Sequence, residues 1–500
     1  MKKDKIFRLI IIMGVLLSFS SSGIYAKTLT GDIIVVGSGA AGMNAAVAAA
    51  KEGAKAIVFE KAPFPGGTSN LAMGVLSPQK ENRDKAFREI MDYTHWRANA
   101  SLVRAYVNKS STNREWFEEL GVEIYPPSPD RDSVMLKAEG RGHGGRSMIN
   151  TLVQRAEEMG VEIYVSTPVK DLIKEGDGVT GVIAEDKSGN SIKANAKAVI
   201  IATGGFGNSK EMVKEYAGFD LQENMFLMMD LQLVGDGIKM AWKAGAAREG
   251  MGMHMIYNVP GPGIVGAVPW HAKNQIRVIQ MQPHLWVNQN GERFLNEAIS
   301  ANSTFTGNAI ARQKGRCAYL IFDGSIKRTM EEAFDRRSMV FPGMDNLIDL
   351  EGQIKGLKES GNKNVFTADS LEELAISMGI NPNVLKNTVE EYNSFCEKGH
   401  DDLFAKDPKY LRPVKEPKFY AFRIIPSAYG TMGGIQVNER LEVLDGEQNI
   451  IHGLYASGYD AFIIYGDIMD YDWNLPGMAL SFALNSGRMA GENAVKYLGI

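Results

Sequence analysis

The sequence predicts an α/β protein in which a βαβ unit opens the chain and a second domain is inserted further along. Three observations support this fold class. Apolar strand segments alternate with helical segments up to about residue 245, a glycine-rich turn follows the first of these strands, and the composition changes after residue 245. A chain of 500 residues also exceeds the size of one ordinary hydrophobic core, which favours two domains.

Residues 32–60 are predicted to form one βαβ unit. The run Asp-Ile-Ile-Val-Val at 32–36 is typical of a buried parallel strand, and it leads directly into the G-x-G-x-x-G pattern of residues 37–42. An Ala-rich helix follows as far as Ala50, and a second apolar strand at 56–59 ends in Glu60. This order of elements indicates a Rossmann-like unit.

Each part of the unit has a physical role in binding a dinucleotide. Gly37 allows the tight turn out of the strand, Gly39 lets the backbone approach a pyrophosphate, and Gly42 lets the helix pack closely on the sheet. The free N–H groups of the helix N-terminus attract phosphate. Glu60 follows the last glycine by eighteen residues, where a carboxylate accepts hydrogen bonds from a ribose diol. An ordinary glycine turn would not need all of these parts in register.

The first 26 residues have the pattern of a secretory signal peptide. Four basic residues precede an apolar run from Leu9 to Leu17, and small residues lead to Ala26, after which cleavage is expected. An uncleaved membrane anchor is the alternative, although the apolar run is too short for a permanent span. Removal of the segment leaves a net charge of about −7, starting from −4 for the whole chain, which argues against nucleic acid as a partner.

The two cysteines, Cys317 and Cys396, give no C-x-x-C, no haem attachment motif and no zinc set. In an oxidising compartment they could pair, but their spacing does not require it. The sequence therefore predicts neither haem, iron–sulfur cluster nor metal site on this chain.

The rest of the chain supplies further segments that can contact the same ligand. Residues 61–70 form a Pro/Gly loop with two hydroxyls, and residues 198–205 form a buried strand that ends in glycines, as the first strand does. From about Ala246 to Ser427 turn-rich segments alternate with amphipathic helices near 369–378 and 382–396. Short strands and a closing helix from about Gly477 then follow.

These motifs together resemble the fumarate reductase and succinate dehydrogenase flavoprotein superfamily, above all its soluble flavocytochrome-type fumarate reductases. The resemblance covers nearly all of the mature chain. It rests on an ordered set of motifs: Gly37–Gly42 with Glu60-Lys61, Gly66–Ser69, Ala202–Phe206, Gly235–Gly237, Val287-Asn288 with Gly291–Phe294, Thr431–Gly434 and Gly453–Ala456.

The resemblance implies FAD as the cofactor, held by a Rossmann-like, glutathione-reductase-type domain, with an α+β capping domain inserted into it. The expected segments are a signal peptide at 1–26, the FAD-binding domain at 27–245 and 428–500, and the capping domain at 246–427. Relatives that attach FAD covalently use a His near residues 66–67, where this chain has none, so non-covalent FAD is predicted. The expected cofactor-binding residues are Gly37, Gly39, Ala40, Ala41, Gly42, Glu60, Lys61, Gly67, Thr68, Ser69, Val169, Ala202, Thr203, Gly204, Asp236, Gly458, Ala479 and Leu480.

The chain departs from the superfamily at the positions that bind fumarate. The proton-donating Arg is expected at about Ala301, the relay Glu and Arg near Arg277 and Gln280, the His-His pair at Tyr429-Gly430, and the carboxylate-binding Arg at Asn474. A dicarboxylate bound without these cations would leave buried anions unpaired, at a cost of several kcal/mol. The sequence therefore predicts that the protein is not a fumarate reductase.

The predicted catalytic residues are Tyr429, Tyr471, Tyr465, His254 and Arg141. Phenol hydroxyls can donate a proton to a developing carbanion or polarise a ketone oxygen. Tyrosines near a closing helix are also commonly core residues with one satisfied hydroxyl. The nearby Asp460, Asp467 and Asp470 are expected to be solvated or to cap backbone rather than to act in catalysis.

The leading hypothesis is an exported FAD enzyme that reduces an activated C=C bond of an aryl enoate, an enone or a steroid-like substrate. Electrons would come from a separate redox partner, a c-type cytochrome, because the chain shows no haem motif and no second dinucleotide fingerprint. One alternative is the reverse reaction, a CH–CH dehydrogenase of the 3-ketosteroid type. Another is a flavoprotein that only carries electrons.

Overall fold

The computed structural model describes residues 25–126, 132–138, 143–227, 231–252, 254–261, 275–334, 346–461, 464, 475 and 477–500. The expected signal peptide therefore lies almost entirely outside the described residues. Within them, no helix is both long enough and apolar enough to cross a membrane.

The described strands, in chain order, are β1 (Lys27–Thr30), β2 (Ile33–Val36), β3 (Ala56–Phe59), β4 (Gly74–Leu76), β5 (Ser133–Met135), β6 (Glu162–Tyr164), β7 (Val169–Glu175), β8 (Gly178–Glu185), β9 (Ser191–Asn195), β10 (Ala198–Ile201), β11 (Phe226–Leu227), β12 (His254–Pro260), β13 (Leu285–Asn288), β14 (Ala318–Asp323), β15 (Val365–Ala368), β16 (Phe419–Thr431), β17 (Glu442–Leu444) and β18 (Ile450–Ala456).

The described helices are α1 (Ala40–Lys51), α2 (Arg83–Tyr93), α3 (Ala100–Ser110), α4 (Asn113–Leu120), α5 (Gly144–Glu158), α6 (Lys210–Ala217), α7 (Asp236–Lys243), α8 (Gln275–Gln280), α9 (Ser303–Ala311), α10 (Gly324–Glu332), α11 (Leu350–Glu359), α12 (Leu371–Met378), α13 (Pro382–Lys398) and α14 (Met478–Leu498).

A ten-stranded sheet carries the predicted βαβ unit. Its strand order is β1-β9-β8-β18-β10-β2-β3-β6, with β7 beside β8 and β17 beside β18. The run β18-β10-β2-β3-β6 is parallel throughout. Strands β2, β3 and β10 are buried along their whole length, as parallel strands covered on both faces must be. The predicted α/β class is confirmed.

The closing helix α14 packs directly on α1. A Cβ atom added at Gly487 or Gly491 would overlap the backbone carbonyl oxygens of Ala41 and Ala45, respectively, so only glycine permits this close approach. The contact ties the C-terminal end of the chain to the glycine-rich turn at its start.

A second sheet of six strands lies largely within the predicted insertion, but its strand β11 precedes residue 246 and its strand β16 extends beyond residue 427. Strand β16 is its central member and pairs with β11, β12, β14 and β15, while β13 pairs with β14. A separate cluster of buried apolar side chains surrounds this sheet, with members between Ile276 and Ile424. The amphipathic helices expected near 369–378 and 382–396 appear as α12 and α13. Both cysteines are free thiols.

The sequence analysis did not identify β16, although it is the longest described strand. Pro426 lies in its interior, and a proline usually argues against a central strand because it has no N–H for the ladder. The strand is also buried on both faces, so it lacks the polar alternation that marks a half-exposed strand. The domain boundary predicted between residues 427 and 428 falls inside this strand.

Candidate functional site

The glycine-rich turn after β2 lies against the loop after β10. Gly37 has a φ of +105°, and a Cβ atom there would overlap the backbone carbonyl of Ala202. A Cβ atom at Gly42 would overlap the carbonyl oxygen of Gly37. These two glycines therefore perform the turn and close-packing roles that the sequence predicts for them.

The N-terminus of α1 suits a diphosphate. Gly39 is its N-cap and has no side chain with which to cap the helix, and the first turn, which includes Ala40 and Ala41, contains no acidic residue. The N–H of Ala40 donates to Ser69 Oγ at 3.0 Å, which brings the 3-10 turn Gly67–Leu71 against the helix start. Backbone donors and hydroxyl side chains of this kind are what a pyrophosphate requires.

Glu60 lies at the end of β3, where a ribose would be bound. Its Oε2 accepts hydrogen bonds from Ser38 N at 2.9 Å and from Ser38 Oγ at 2.7 Å, and its Oε1 accepts one from Ala62 N at 2.7 Å. These bonds fix the carboxylate and leave acceptor capacity for a ribose diol. Val169, at the start of β7, is buried in the same region, where Thr167 N donates to the backbone oxygen of Glu60 at 2.8 Å.

Two further predicted cofactor residues form an ion pair. Lys61 Nζ lies 2.7 Å from Asp236 Oδ2, and it also donates to the backbone oxygen of Gln232. Asp236 begins α7, so this pair joins the loop after β3 to a helix that is 175 residues distant in sequence. The glycine-rich turn, the start of α1, Glu60 and the loop after β10 form a surface that we call the cofactor edge. The structure brings Lys61 and Asp236 together at one side of it.

A buried aspartate holds the loop after β10. Both carboxylate oxygens of Asp460 accept from the Thr203 hydroxyl at 3.0 Å, Oδ2 accepts from Gly204 N at 3.1 Å and Oδ1 from Gly205 N at 2.9 Å. Thr203 N donates to Oδ2 as well. Burial raises the pKa of Asp460, and these hydrogen bonds oppose the rise. The role is the backbone capping expected for this group of aspartates, and residues 202–204 lie where FAD is expected.

The sequence also predicts cofactor contacts for Gly458 and for the start of α14. Gly477 is its N-cap with a φ of +87°, and Ala479 and Leu480 lie in its first turn. Gly458 N donates to Ser486 Oγ at 2.9 Å, and a Cβ atom at Gly458 would lie 2.9 Å from Ala41 Cβ. The middle of α14, at Ser486, is thus linked through Gly458 to the start of α1.

The end of β16 contains a β-bulge at Tyr429-Gly430. Thr431 pairs with His254 and Ala428 pairs with Ile256, so two residues of β16 lie opposite one residue of β12. Because His254 and Ile256 share one face of the sheet, their partners Ala428 and Thr431 share it too. Tyr429 and Gly430 therefore both lie on the opposite face.

This bulge lies against the cofactor edge. Phe206 N donates to Thr431 Oγ1 at 2.9 Å, and a Cβ atom at Gly207 would lie 3.4 Å from Gly430 Cα. The loop after β10 and the end of β16 are thus in direct contact.

Tyr429 is a half-buried phenol whose environment preserves its proton. Burial raises its pKa above the ordinary value, and the positive charge of Arg277 acts in the opposite direction. Arg277 is itself buried on α8, with 8% of its surface exposed. In the sequence, Arg277 was identified only as a position near which the superfamily's relay Glu and Arg are expected. The structure gives it a place near the predicted proton donor.

His254 lies on the other face of the sheet from Tyr429. It is buried, and its ring packs edge-on against Phe206 at 6.0 Å and Phe219 at 6.2 Å. Burial lowers the pKa of His254 to about 4, so the ring is neutral at physiological pH. The structure does not bring His254 and Tyr429 together. Arg141, Tyr465 and Tyr471, the other predicted catalytic residues, lie outside the described residues.

The Arg-Phe-x-Asn-Glu segment forms a buried ion network in the insertion. Arg293 bonds Glu297 through Nε at 2.9 Å and Nη2 at 2.8 Å, and it bonds Asp401 at 3.0 and 2.8 Å. Lys406 Nζ lies 3.3 Å from Glu297 Oε2 and donates to Tyr392 Oη at 2.9 Å. Burial would raise the pKa of Asp401, but Arg293 lowers it to about 2. Paired in this way, these charges stabilise the insertion.

Comparison with known proteins gives consistent findings. A family model described as "FAD binding domain" matches residues 32–469. A vinyl phenol reductase of Lactiplantibacillus plantarum is 31% identical, over 94% of this chain and 98% of its own. A fumarate reductase (cytochrome) of Shewanella frigidimarina is 29% identical over 94% of this chain and 77% of its own.

Among solved structures, a 3-ketosteroid Δ1-dehydrogenase from Sterolibacterium denitrificans superposes with a TM-score of 0.74. The two chains are 22% identical over 93% of this chain and 99% of the other. At that identity the likeness supports the shared fold alone.

Proposed function

The chain belongs to the FAD binding domain family, and we propose that within this family it reduces the carbon–carbon double bond of an aryl alkene. The family match confirms two predictions made from the sequence, FAD as the cofactor and a fumarate reductase-like oxidoreductase that acts on C=C or CH–CH bonds. The aryl substrate, the proton donor and the electron source are our proposal.

Four features of the site fit FAD: the glycine turn, the N-terminus of α1, Glu60 and the loop held by Asp460. When bound, FAD supplies a hydride from its reduced N5 to one alkene carbon. Tyr429 gives its phenolic proton to the other carbon, which completes the two-electron reduction of the double bond. The nearby positive charge of Arg277 favours the phenolate that Tyr429 then becomes.

The observation that carries this proposal is the Tyr429-Gly430 bulge beside the loop after β10. A phenol that retains its proton at neutral pH, on a strand that contacts the loop after β10, supports Tyr429 as the proton donor. Position 430 has no side chain, so it offers no imidazole to a substrate carboxylate. This supports a neutral or phenolic substrate rather than fumarate, and the likeness to a vinyl phenol reductase over almost the full length of both chains supports an aryl alkene.

The proposal also names an electron donor and a cellular compartment. A separate redox partner, a c-type cytochrome, would reduce the flavin, in line with the likeness to a cytochrome-linked fumarate reductase. The signal peptide predicted for residues 1–26 would export the protein to the periplasm or another extracytoplasmic space, where such partners occur.

The proposal is tested by anaerobic turnover with reduced methyl viologen as the electron donor. Mature protein is offered 4-vinylphenol, an aryl acrylate, urocanate, a 3-oxo-4-ene steroid and fumarate in turn, and products are identified by chromatography. We expect 4-ethylphenol from 4-vinylphenol, and no succinate. Free FAD with the same dye is the control for non-enzymatic reduction. Rapid reduction of fumarate, or of the steroid alone, would overturn the proposed substrate class.

A further inference from the structure

The ring of Tyr459 occupies the space that a side chain at position 430 would fill. A Cβ atom added at Gly430 would lie 2.7 Å from Tyr459 Cε2 and 2.9 Å from Cδ2. Both distances are shorter than van der Waals contact, so a residue with a Cβ atom does not fit at position 430 while the Tyr459 ring lies there. Tyr429 lies on the same face of the sheet as position 430, because of the bulge. Tyr459 therefore packs, at position 430, on the same face of the sheet as the side chain of Tyr429.

The turn that carries Tyr459 is fixed from several sides. Gly433 N donates to the backbone oxygen of Tyr459 at 3.1 Å, and Ile435 N donates to that of Asp460 at 2.9 Å. The Asp460 carboxylate is held by the loop after β10, and Gly458 N is held by Ser486 Oγ. A side chain on such a turn loses little conformational entropy when a ligand packs against it.

Tyr459 also reaches the cofactor edge. A Cβ atom at Gly205 would lie 3.4 Å from Tyr459 Cβ, so the tyrosine stands between the loop after β10 and the bulge of β16. Tyr459 is half-buried in this position. This is where the substrate of a flavin enzyme would lie if Tyr429 supplies the proton.

We propose that Tyr459 is a specificity-determining residue that packs against the aromatic ring of the substrate. The inference rests on the proposed function and names how that site selects an aryl group. Aromatic pairs in offset or edge-to-face contact are stabilised beyond simple burial of area, and the expected discrimination is about tenfold.

The first test compares two neutral alkenes of similar size, 4-vinylphenol and 2-cyclohexen-1-one. In Tyr459→Ala, the ratio of kcat/KM for 4-vinylphenol to that for cyclohexenone should fall about tenfold, mainly through KM. Tyr459→Phe keeps the ring and should keep the ratio. Tyr410→Ala is the matched control, because Tyr410 is also half-buried on a 3-10 turn, Pro408–Tyr410, in the insertion. Equal losses for both alkenes, or an unchanged ratio, would overturn the inference.

A second readout separates this inference from the proposed function. Binding of the saturated product 4-ethylphenol to the oxidised holoenzyme is followed by the change in flavin absorbance. Its Kd should rise about tenfold in Tyr459→Ala and in Tyr459→Leu, whichever of these variants holds FAD. If the wild type reduces no alkene but this rise is seen, the inference stands and the proposed function fails. An unchanged Kd overturns the inference whatever the turnover.

Discussion

The cofactor edge and the proposed substrate edge of this protein consist of different chemical groups. The cofactor edge consists mainly of glycines, backbone N–H groups and two carboxylates, Glu60 and Asp460, that hold backbone donors. The proposed substrate edge depends on side chains: Tyr459 packs on the bulge that carries Tyr429, and the charge of Arg277 lies nearby. Backbone geometry can bind the same cofactor in many relatives, whereas in our proposal the side chains decide which alkene is accepted.

The largest effect is expected at the cofactor edge. Gly42→Val should abolish FAD binding, because even a Cβ atom there overlaps the carbonyl oxygen of Gly37 and forces α1 away from the sheet. Flavin absorbance per protein after gel filtration is the measurement. Gly356→Ala is the control, since a Cβ atom at Gly356 meets nothing within 4 Å. A Gly42→Val protein that retains stoichiometric FAD would show that the close packing is not required.

The next effect falls on the substrate edge alone. Tyr429→Phe removes the proposed acid and should lower kcat for 4-vinylphenol by about 10²–10⁴-fold, the usual contribution of general acid catalysis. FAD content should not change, which distinguishes this variant from Gly42→Val. Tyr410→Phe serves as the control for loss of a phenol elsewhere. A fall of less than about threefold would remove Tyr429 from the mechanism.

The two edges differ in how far the sequence could predict them. The glycine turn, α1, β3 and Glu60 are local in sequence, and their spacing alone predicted them. Asp460 is held by Thr203, which lies 257 residues away, so its partner could not be identified from the local sequence. The bulge could not be predicted either, because β16 contains Pro426 and lacks strand-like alternation. Arg277 gained its place only through the fold.

Asp460→Asn should have a smaller effect than Tyr429→Phe, and this effect should be on FAD binding. An amide has only one acceptor oxygen where the carboxylate receives donors at both, so a buried N–H or hydroxyl loses its partner, at about 1–3 kcal/mol. We expect FAD affinity to fall by roughly 5- to 150-fold, measured by fluorescence titration of the apoprotein. Asp445→Asn, on an exposed turn, is the control. Loss of alkene turnover with unchanged FAD affinity would contradict this assignment.

The smallest effect is on the pH profile. The pKa of Tyr429 is raised by burial above its ordinary value of about 10, so the phenol keeps its proton below that pH. The kcat for 4-vinylphenol should therefore stay level between about pH 6 and 9 and fall only as the pH rises past about 10. If His254, with a pKa of about 4, were the acid, the rate would already fall as the pH rises through 4. Initial rates in overlapping buffers measure this difference.

The central claim is that the reduced enzyme transfers its electrons to an aryl alkene. Anaerobic stopped-flow mixing of dye-reduced holoenzyme with 4-vinylphenol or with fumarate tests it most directly, because return of the oxidised flavin spectrum reports a single turnover. The account predicts rapid reoxidation by 4-vinylphenol, a slow trace in Tyr429→Phe, and no reoxidation by fumarate. Rapid reoxidation by fumarate, or none by 4-vinylphenol, would contradict it.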